Sequence, residues 1–440
     1  MLGRNRPPRR RVVTRSNGEE EVAAPREEGD ANRPLYRWVV VLVATAVQAA
    51  TGYVVLGIGA LTGFFRDAFD LTGYQTGMVV TAVALAPLFV LVPVGRMLDR
   101  FGQRAIVTAG GLWLGIGAAI AATASSFPIL LAFLFIGGAG YATSQPGGSK
   151  AVAGWFRSER RGLAMGIRQT GLPLGGALAA ATLPAIAEAR GWQTALMTTG
   201  GVATVGAIVF GLVYRDPAAV ERDDYPFSET LKRLLSERFM RPILGSGLVL
   251  VSAQLCVVAY LLLFLRDVHT IPLTTGAWVL SVSQILGMGG RVLLGAWSDK
   301  RWHSRRLHLV ILSLMMTASL LCVLAWLPEG VSVGAIGVVA ALLGFFAFGW
   351  YGPWVVHISD IAPRGYVGLT LALSMSATQL GIVAAPPLFG LLVDISGSYR
   401  FAWLVLAFGQ VICALGVAFH LSRVSREDSE VEWHRSYQGV

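Results

Sequence analysis

Long apolar runs alternate with short polar segments along nearly the whole chain. The first runs from about Trp38 to Phe65, and others follow near 75–96, 105–125, 128–152, 162–187 and 192–214. After a charged break the pattern resumes near 241–265, 273–297, 307–327, 331–359, 366–393 and 399–422. At about 1.5 Å per helical residue each run is long enough to cross a hydrocarbon core of roughly 30 Å. The pattern predicts an all-α membrane protein with twelve transmembrane helices, six on each side of the break.

The boundaries divide the chain into five parts. Residues 1–36 form a tail rich in Arg and Pro, acidic around Glu19 to Glu28, without the apolar stretch that a cleavable signal needs after its positive start. This tail is expected to be disordered and cytoplasmic, with the first apolar run retained as helix one. Residues 37–214 and 241–422 are the two six-helix bundles, and 423–440 a second cytoplasmic tail. Between the bundles, 215–240 carries Phe227, Leu231, Leu234 and Leu235 at helical spacing, with Lys232, Arg233 and Arg238 alongside and Ser228 placed to cap. That predicts a short helix lying in the membrane interface, the alternative being an unstructured linker.

The two bundles are related. Gly95-Arg96-Met97-Leu98-Asp99-Arg100-Phe101-Gly102-Gln103-Arg104 follows the second run, and Gly295-Ala296-Trp297-Ser298-Asp299-Lys300 follows the eighth. Gly95 to Gly295, Asp99 to Asp299 and Arg100 to Lys300 keep one offset of 200, which implies two pseudo-symmetric halves.

Composition excludes the soluble classes. With 54% hydrophobic residues, 14% charged and a mean hydropathy of +0.60, the chain has too little polar surface for a soluble globule of 440 residues. The net charge of +10 does not point to nucleic acid, because the basic residues sit between the spans. Of the 36 Lys and Arg, 29 fall on the side of the N-terminus, while Arg66, Arg190, Arg266 and Arg400 lie opposite. The positive-inside rule then puts both termini in the cytoplasm of a multi-pass protein of the cell membrane. Cys256, Cys322 and Cys413 are far apart inside apolar runs, and His303 and His308 lack metal-ligand spacing. No metal site, cofactor or nucleic-acid partner is expected; the lipid bilayer is the evident partner, and a monomer the expected unit.

The segment at 95–104 resembles the loop between helices two and three of the major facilitator superfamily, in which Gly, Asp, a basic residue, Gly and a basic residue recur. Met97, Leu98 and Gln103 depart from that pattern. The resemblance implies the major facilitator fold and a gating role for Gly95, Asp99, Arg100, Gly102 and Arg104, with Asp299 and Lys300 as counterparts. Glycines let helix ends approach, and Asp99 can bond the N-terminal amides of a neighbouring helix or pair with an arginine. The plainer reading is that the arginines only hold topology.

A narrower resemblance covers two helices. Arg161-Gly162-Leu163-Ala164-Met165-Gly166 with Gly171-Leu172-Pro173-Leu174-Gly175, and Gly290-Arg291 through Asp299-Lys300, are similar to helices five and eight of the monocarboxylate porters and their oxalate-formate antiporter-like bacterial relatives. In that group an intramembrane arginine binds the substrate carboxylate. The resemblance implies alternating-access transport of small organic anions, monocarboxylates first, around a midplane cavity.

Arg291 lies eight positions before Asp299, about 12 Å into the membrane, where burying a cation costs on the order of 2.5–3.5 kcal/mol by insertion scales. Ser281, Gln284 and Arg291 share one helical face. Arg168 is the second intramembrane cation, near the face of Gly171 and Gly175, which allow close approach of a partner helix; helices five and eight are expected to meet. Two arginines at similar depth repel unless an anion lies between them, and guanidinium groups suit carboxylates. The alternative is that both snorkel to the cytoplasmic surface or bond backbone carbonyls. Gln48, Thr51, Tyr141, Ser144, Gln145, Tyr260, Trp350, Tyr351 and Trp354 complete a candidate cavity, or else serve helix packing and an aromatic belt.

Proton coupling has the least support. The porters it resembles use an acid on helix eight and often a lysine on helix one, but Gly287 stands where the acid is expected and helix one has no charge after Arg37. His357 in helix ten is the candidate for carrying protons, against an ordinary helix-end histidine. Gln145-Pro146-Gly147-Gly148-Ser149-Lys150 fails the phosphate-loop pattern, since Ser149 separates glycine from Lys150. Transport would therefore run on a gradient or as exchange. The alternatives are an efflux transporter of drug-like hydrophobic compounds and a non-transporting membrane sensor. No nucleophile, base and metal constellation points to an enzyme.

Overall fold

A computed structural model describes residues 34–156, 158–216, 240–301, 306–328, 330–361 and 367–437, and they are helical nearly throughout. Among them are 11 helical stretches long and apolar enough to cross a membrane. One, Ala164–Val213, has 50 residues and is divided at Gly191, whose φ of 84° no side-chain-bearing residue adopts readily. It therefore makes two crossings, spans five and six, and the described residues cross twelve times. Gly102, at φ 82°, likewise separates spans two and three within Gly73–Ala121.

The remaining crossings are span one (Leu35–Ala60), four (Phe127–Val152), seven (Met240–His269), eight (Leu273–Trp297) and nine (Arg306–Ala325). Spans ten, eleven and twelve are Val333–Ile358, Leu373–Ser396 and Tyr399–Ser422. An even number of crossings puts both described ends on one face, here the terminal face; the other is the distal face.

One expectation changes. The run from Trp38 to Phe65 is not one helix, because it stops at Ala60 and a separate short helix, Thr62–Phe69, lies at the distal face and ends on Asp70 at φ 52°. In the expected tail after 422 the last helix continues, Tyr399–Tyr437 being unbroken. No Gly or Pro stands between 417 and 438 to stop it. The interfacial helix expected within 215–240 lies largely outside the described residues, as does the tail before residue 34.

Spans one and seven occupy the middle of the molecule, with 78% and 83% of their apolar windows buried. Lipid is as apolar as leucine, so small residues that let backbones touch decide which helices pair. Gly171 and Gly175 of span five face Thr45 and Ala49 of span one, and Gly52 faces Leu172 in return. Gly287, Gly290, Gly344 and Gly349 bring spans eight and ten together in the same way. Across the halves, Gly77 packs on Pro386 and Pro387 of span eleven.

Candidate functional site

Spans four and ten are each broken into two segments. Span four runs Phe127–Gly138 and then Tyr141–Trp155, and span ten Val333–Gly349 and then Tyr351–Ile361. Pro146 and Pro353 each remove the amide that would bond the carbonyl four residues earlier, and glycines at 137, 138, 140 and 349 loosen the same turns. Each lower segment opens on a tyrosine, Tyr141 or Tyr351; Arg168 binds within the lower segment of span four, and Arg291 meets span ten beside its break.

Arg168 is fully buried and bonds span four of its own half. Nη2 donates to the carbonyls of Ser144 (2.9 Å) and Gln145 (3.1 Å) and to Gln145 Oε1 (3.1 Å), and Nη1 to Ser149 Oγ (3.0 Å). Gln48 of span one joins through Nε2 to Gln145 Oε1 at 3.1 Å. Gly148 makes the room: a Cβ there would stand 2.7 Å from Nε and Nη2 of Arg168. The Gln145–Lys150 segment, no phosphate loop, is thus the seat of a buried guanidinium, a role its glycine and serine gave no sign of in the sequence.

Arg291 reaches between the halves. Its Nε donates to the Phe348 carbonyl of span ten at 3.0 Å and its Nη1 to the Gln169 carbonyl of span five at 3.1 Å. Its Cζ lies 5.3 Å from the centre of the Tyr351 ring, a cation–π distance. Tyr351 interacts electrostatically with both Arg291 and Arg168 and touches the Gln169 side chain, and Tyr141 interacts with Tyr351 and Arg291. No carboxylate pairs with either arginine among the described residues, so carbonyl dipoles, the Ser149 hydroxyl and the Tyr351 ring solvate two cations in a low-dielectric region. Arg291 is ten residues from the end of the helix Leu273–Arg301, roughly 15 Å along its axis.

The polar stripe on span eight faces span five as a unit. Ser281 Oγ donates to the Ala177 carbonyl at 2.9 Å, and Gln284, fully buried with neither amide atom bonded, packs on Gly176. Spans five and eight therefore meet, while Gly171 and Gly175 serve span one instead.

Other candidates lie elsewhere. The Tyr260 hydroxyl is 2.7 Å from the Gly73 carbonyl and 2.9 Å from that of Pro386, well toward the distal face. Trp354 is fully buried, stacks edge-on with Trp350 and donates Nε1 to the Ile243 carbonyl at 3.3 Å. Both tryptophans are packed in the interior. His357 is half-buried in the lower segment of span ten.

At the terminal face the expected latch takes a different form. Asp216, just past span six, accepts from the backbone N–H of Gln103 (2.7 Å) and Arg104 (3.2 Å), capping span three where its dipole is positive. Gly102 is required twice over, by its φ and because a Cβ there would stand 2.6 Å from the Asp216 carboxylate. Arg104 Nε holds the Gly211 carbonyl at 2.6 Å. Burial and the neighbouring Asp216 charge push the Tyr214 hydroxyl well above its ordinary range, so it stays protonated and donates to Gln103 Oε1 at 3.3 Å. Gly95 and Gly295 do not serve close approach here, since a Cβ on either meets nothing within 4 Å. Arg100 is exposed over the Phe101 ring. The side chains of Asp99, Asp299 and Lys300 lie outside the described residues.

The distal face holds a closure that the sequence reading passed over. Arg66 donates to Asp267 at 2.5 Å and Arg266 to Asp67 at 2.7 Å, a reciprocal pair of ion bridges across the halves. Tyr399 adds its hydroxyl to Asp267 at 2.8 Å. Asp394 of span eleven accepts from the Gly73 and Tyr74 amides at 2.8 and 2.7 Å, so one half caps a helix of the other. Among these residues is a cavity of about 310 Å³ lined in part by Arg66, Thr76, Tyr260, Asp394 and Tyr399. The signal was present: Arg66-Asp67 and Arg266-Asp267 keep the same offset of 200 as the loop motif.

Comparison with known proteins agrees with this architecture. Residues 41–374 match the family model of the Major Facilitator Superfamily. An uncharacterized MFS-type transporter of Mycobacterium tuberculosis is 28% identical over 372 residues, covering 83% of this chain and 81% of that protein. Monocarboxylate transporter 11 of Homo sapiens is 27% identical over 387 residues, covering 84% and 79%. Among solved structures, a bacterial homolog of the human lysosomal transporter Spinster, in an inward-facing and occupied conformation, matches with a TM-score of 0.73 at 16% identity, over 88% of this chain and 97% of that one. With its twelve crossings, two pseudo-symmetric halves and family match over most of its length, the chain belongs to the Major Facilitator Superfamily.

Proposed function

We propose that the protein carries small organic anions, monocarboxylates first among them, across the cell membrane by rocking its two halves, and that Arg291 receives the carboxylate. One observation carries this reading: a guanidinium buried at the junction of the halves, on a tyrosine face, with backbone carbonyls and, among the described residues, no carboxylate for partners. An unpaired buried cation attracts an anion strongly, and the fork of an arginine matches a carboxylate in two bonds.

Arg168 contributes in a reduced role. Its terminal nitrogens are taken up by span four, so it adds positive potential beside Tyr351 rather than a second arm of a clamp. The similarity to a human protein named as a monocarboxylate transporter supports the same substrate class. The distribution of Lys and Arg assigns the terminal face to the cytoplasm. The cluster is built of arginine, tyrosine, glutamine and serine, and no proton step is assigned to it.

Uptake of labelled lactate into proteoliposomes, beside acetate and malonate, tests the reading. A charge-assisted bond to a buried group is worth about 1.5–3 kcal/mol. Arg291→Ala is therefore expected to weaken anion binding roughly 10- to 100-fold, with Arg291→Lys intermediate because it keeps the charge and loses the fork. Parent-like affinity of Arg291→Ala for every transported anion would refute the assignment.

A further inference from the structure

The acceptor that Arg291 finds on the opposite half exists because of a proline. In a regular helix the Gln169 carbonyl would take the amide of residue 173, but that residue is Pro173, which has none. The helix is interrupted at this point, with one segment ending at Gln169 and the next beginning at Gly171, and the Thr170 amide turns back to Ile167 at 3.1 Å. The Gln169 carbonyl is thus left open at a half-buried position and aimed across the junction, where Arg291 Nη1 meets it at 3.1 Å. The other anchor of the same guanidinium, Nε on Phe348, stays within its own half.

We propose that Pro173 is a positioning residue that couples cargo to conformation: the carbonyl it frees at Gln169 holds Arg291 across the halves, and an incoming carboxylate takes Nη1 away from it. Binding of the anion thereby unfastens span five from span eight while Arg291 stays seated on Phe348. Arg168 has no such switch, since every bond found for its guanidinium is to its own half. This step rests on the proposed role of Arg291, but the hold exerted by Pro173 does not.

The test uses the full chain in proteoliposomes with Thr76→Cys as a reporter. Thr76 is fully buried and lines the distal cavity, so a membrane-impermeant thiol reagent added from that side reports opening of the distal face. Pro173→Ala returns an amide to Gln169 and is expected to raise the modification rate roughly three- to tenfold without any organic anion, the range that the net worth of one hydrogen bond corresponds to. Pro173→Gly returns the amide without a new side chain and should act in the same direction, which covers the case of an alanine variant that folds poorly. Pro184→Ala, which frees nothing for Arg291, should leave the rate alone.

In the parent, acetate, lactate or malonate should speed modification, and in Pro173→Ala that further gain should shrink. An unchanged anion-free rate in both Pro173 variants, or an equal rise with Pro184→Ala, overturns the proposal. A raised rate with no response of the parent to any of the three anions overturns the displacement step. If instead Arg291→Ala keeps parent affinity for lactate while the Pro173 variants open, the substrate assignment fails and the latch survives.

Discussion

Gly175→Leu is expected to leave almost no folded protein in the membrane. A Cβ at this position would run into the Ala49 carbonyl and the Tyr53 amide, both backbone atoms of span one. Flexible side chains can yield to an intruding methyl; a helix backbone cannot, so the two spans must separate. Overpacking a rigid contact costs on the order of 1–3 kcal/mol or more, and here it falls on the pair of helices that carries Gln48 and Arg168. Size-exclusion chromatography of detergent extracts should show aggregate in place of a single peak, and Gly175→Ala should already lower the yield. Gly201→Leu is the control, because nothing lies within 4 Å of a Cβ there. Equal yields from both leucine variants would mean that spans one and five do not touch along Gly175.

Reversing one charge of the distal seal should have the largest effect on conformation. Asp267 takes Arg66, Arg266 and the Tyr399 hydroxyl, so Asp267→Arg removes three contacts and gathers three cations at one point. The side chains of Arg66, Asp267 and Arg266 are 34%, 25% and 25% exposed, and each single pair is therefore worth only about 0–1 kcal/mol. Loss of two pairs together with comparable repulsion, about 1 kcal/mol per contact at 4 Å in water, should raise distal accessibility of a cysteine at position 76 on the order of tenfold or more. Adding Arg66→Asp to Asp267→Arg restores opposite charges across the halves and should bring the rate back toward the parent. A double variant as open as the single one would show that the bridge does not hold the face shut.

How far the sequence disclosed these features depended on whether the signal was local. Span positions, the duplication and the depth of Arg291 follow from periodicity and counting, since membrane thickness and helix rise are fixed. The split at Gly191 and the turn at Gly102 are likewise visible as a glycine between two apolar runs. Partner choice was not visible. Gly171 and Gly175 announce a close contact without naming span one, and Arg168 gives no hint that Gly148 and Ser149 will receive it, because those residues are distant in sequence. The ion bridges at the distal face were hidden for another reason: counting basic residues by side treats Arg66 and Arg266 singly, whereas their role arises only when a twofold relation sets each against the other half's aspartate. Pro173 is the intermediate case, since the carbonyl it frees can be read from the four-residue register but its use by Arg291 cannot.

The position of Arg291, roughly 15 Å from the terminal end of its helix and about 27 Å from the distal end, has a consequence for membrane voltage. A carboxylate approaching from the terminal side crosses the smaller part of the transmembrane field before it meets the guanidinium, and one approaching from the distal side the larger part. One full charge moved through 100 mV is worth about 2.3 kcal/mol. In vesicles held at opposite potentials, half-saturation for lactate should therefore shift more when the anion is offered on the distal side than when it is offered on the terminal side. An unequal depth turns a carrier with two similar halves into one whose two faces feel the electrical gradient differently.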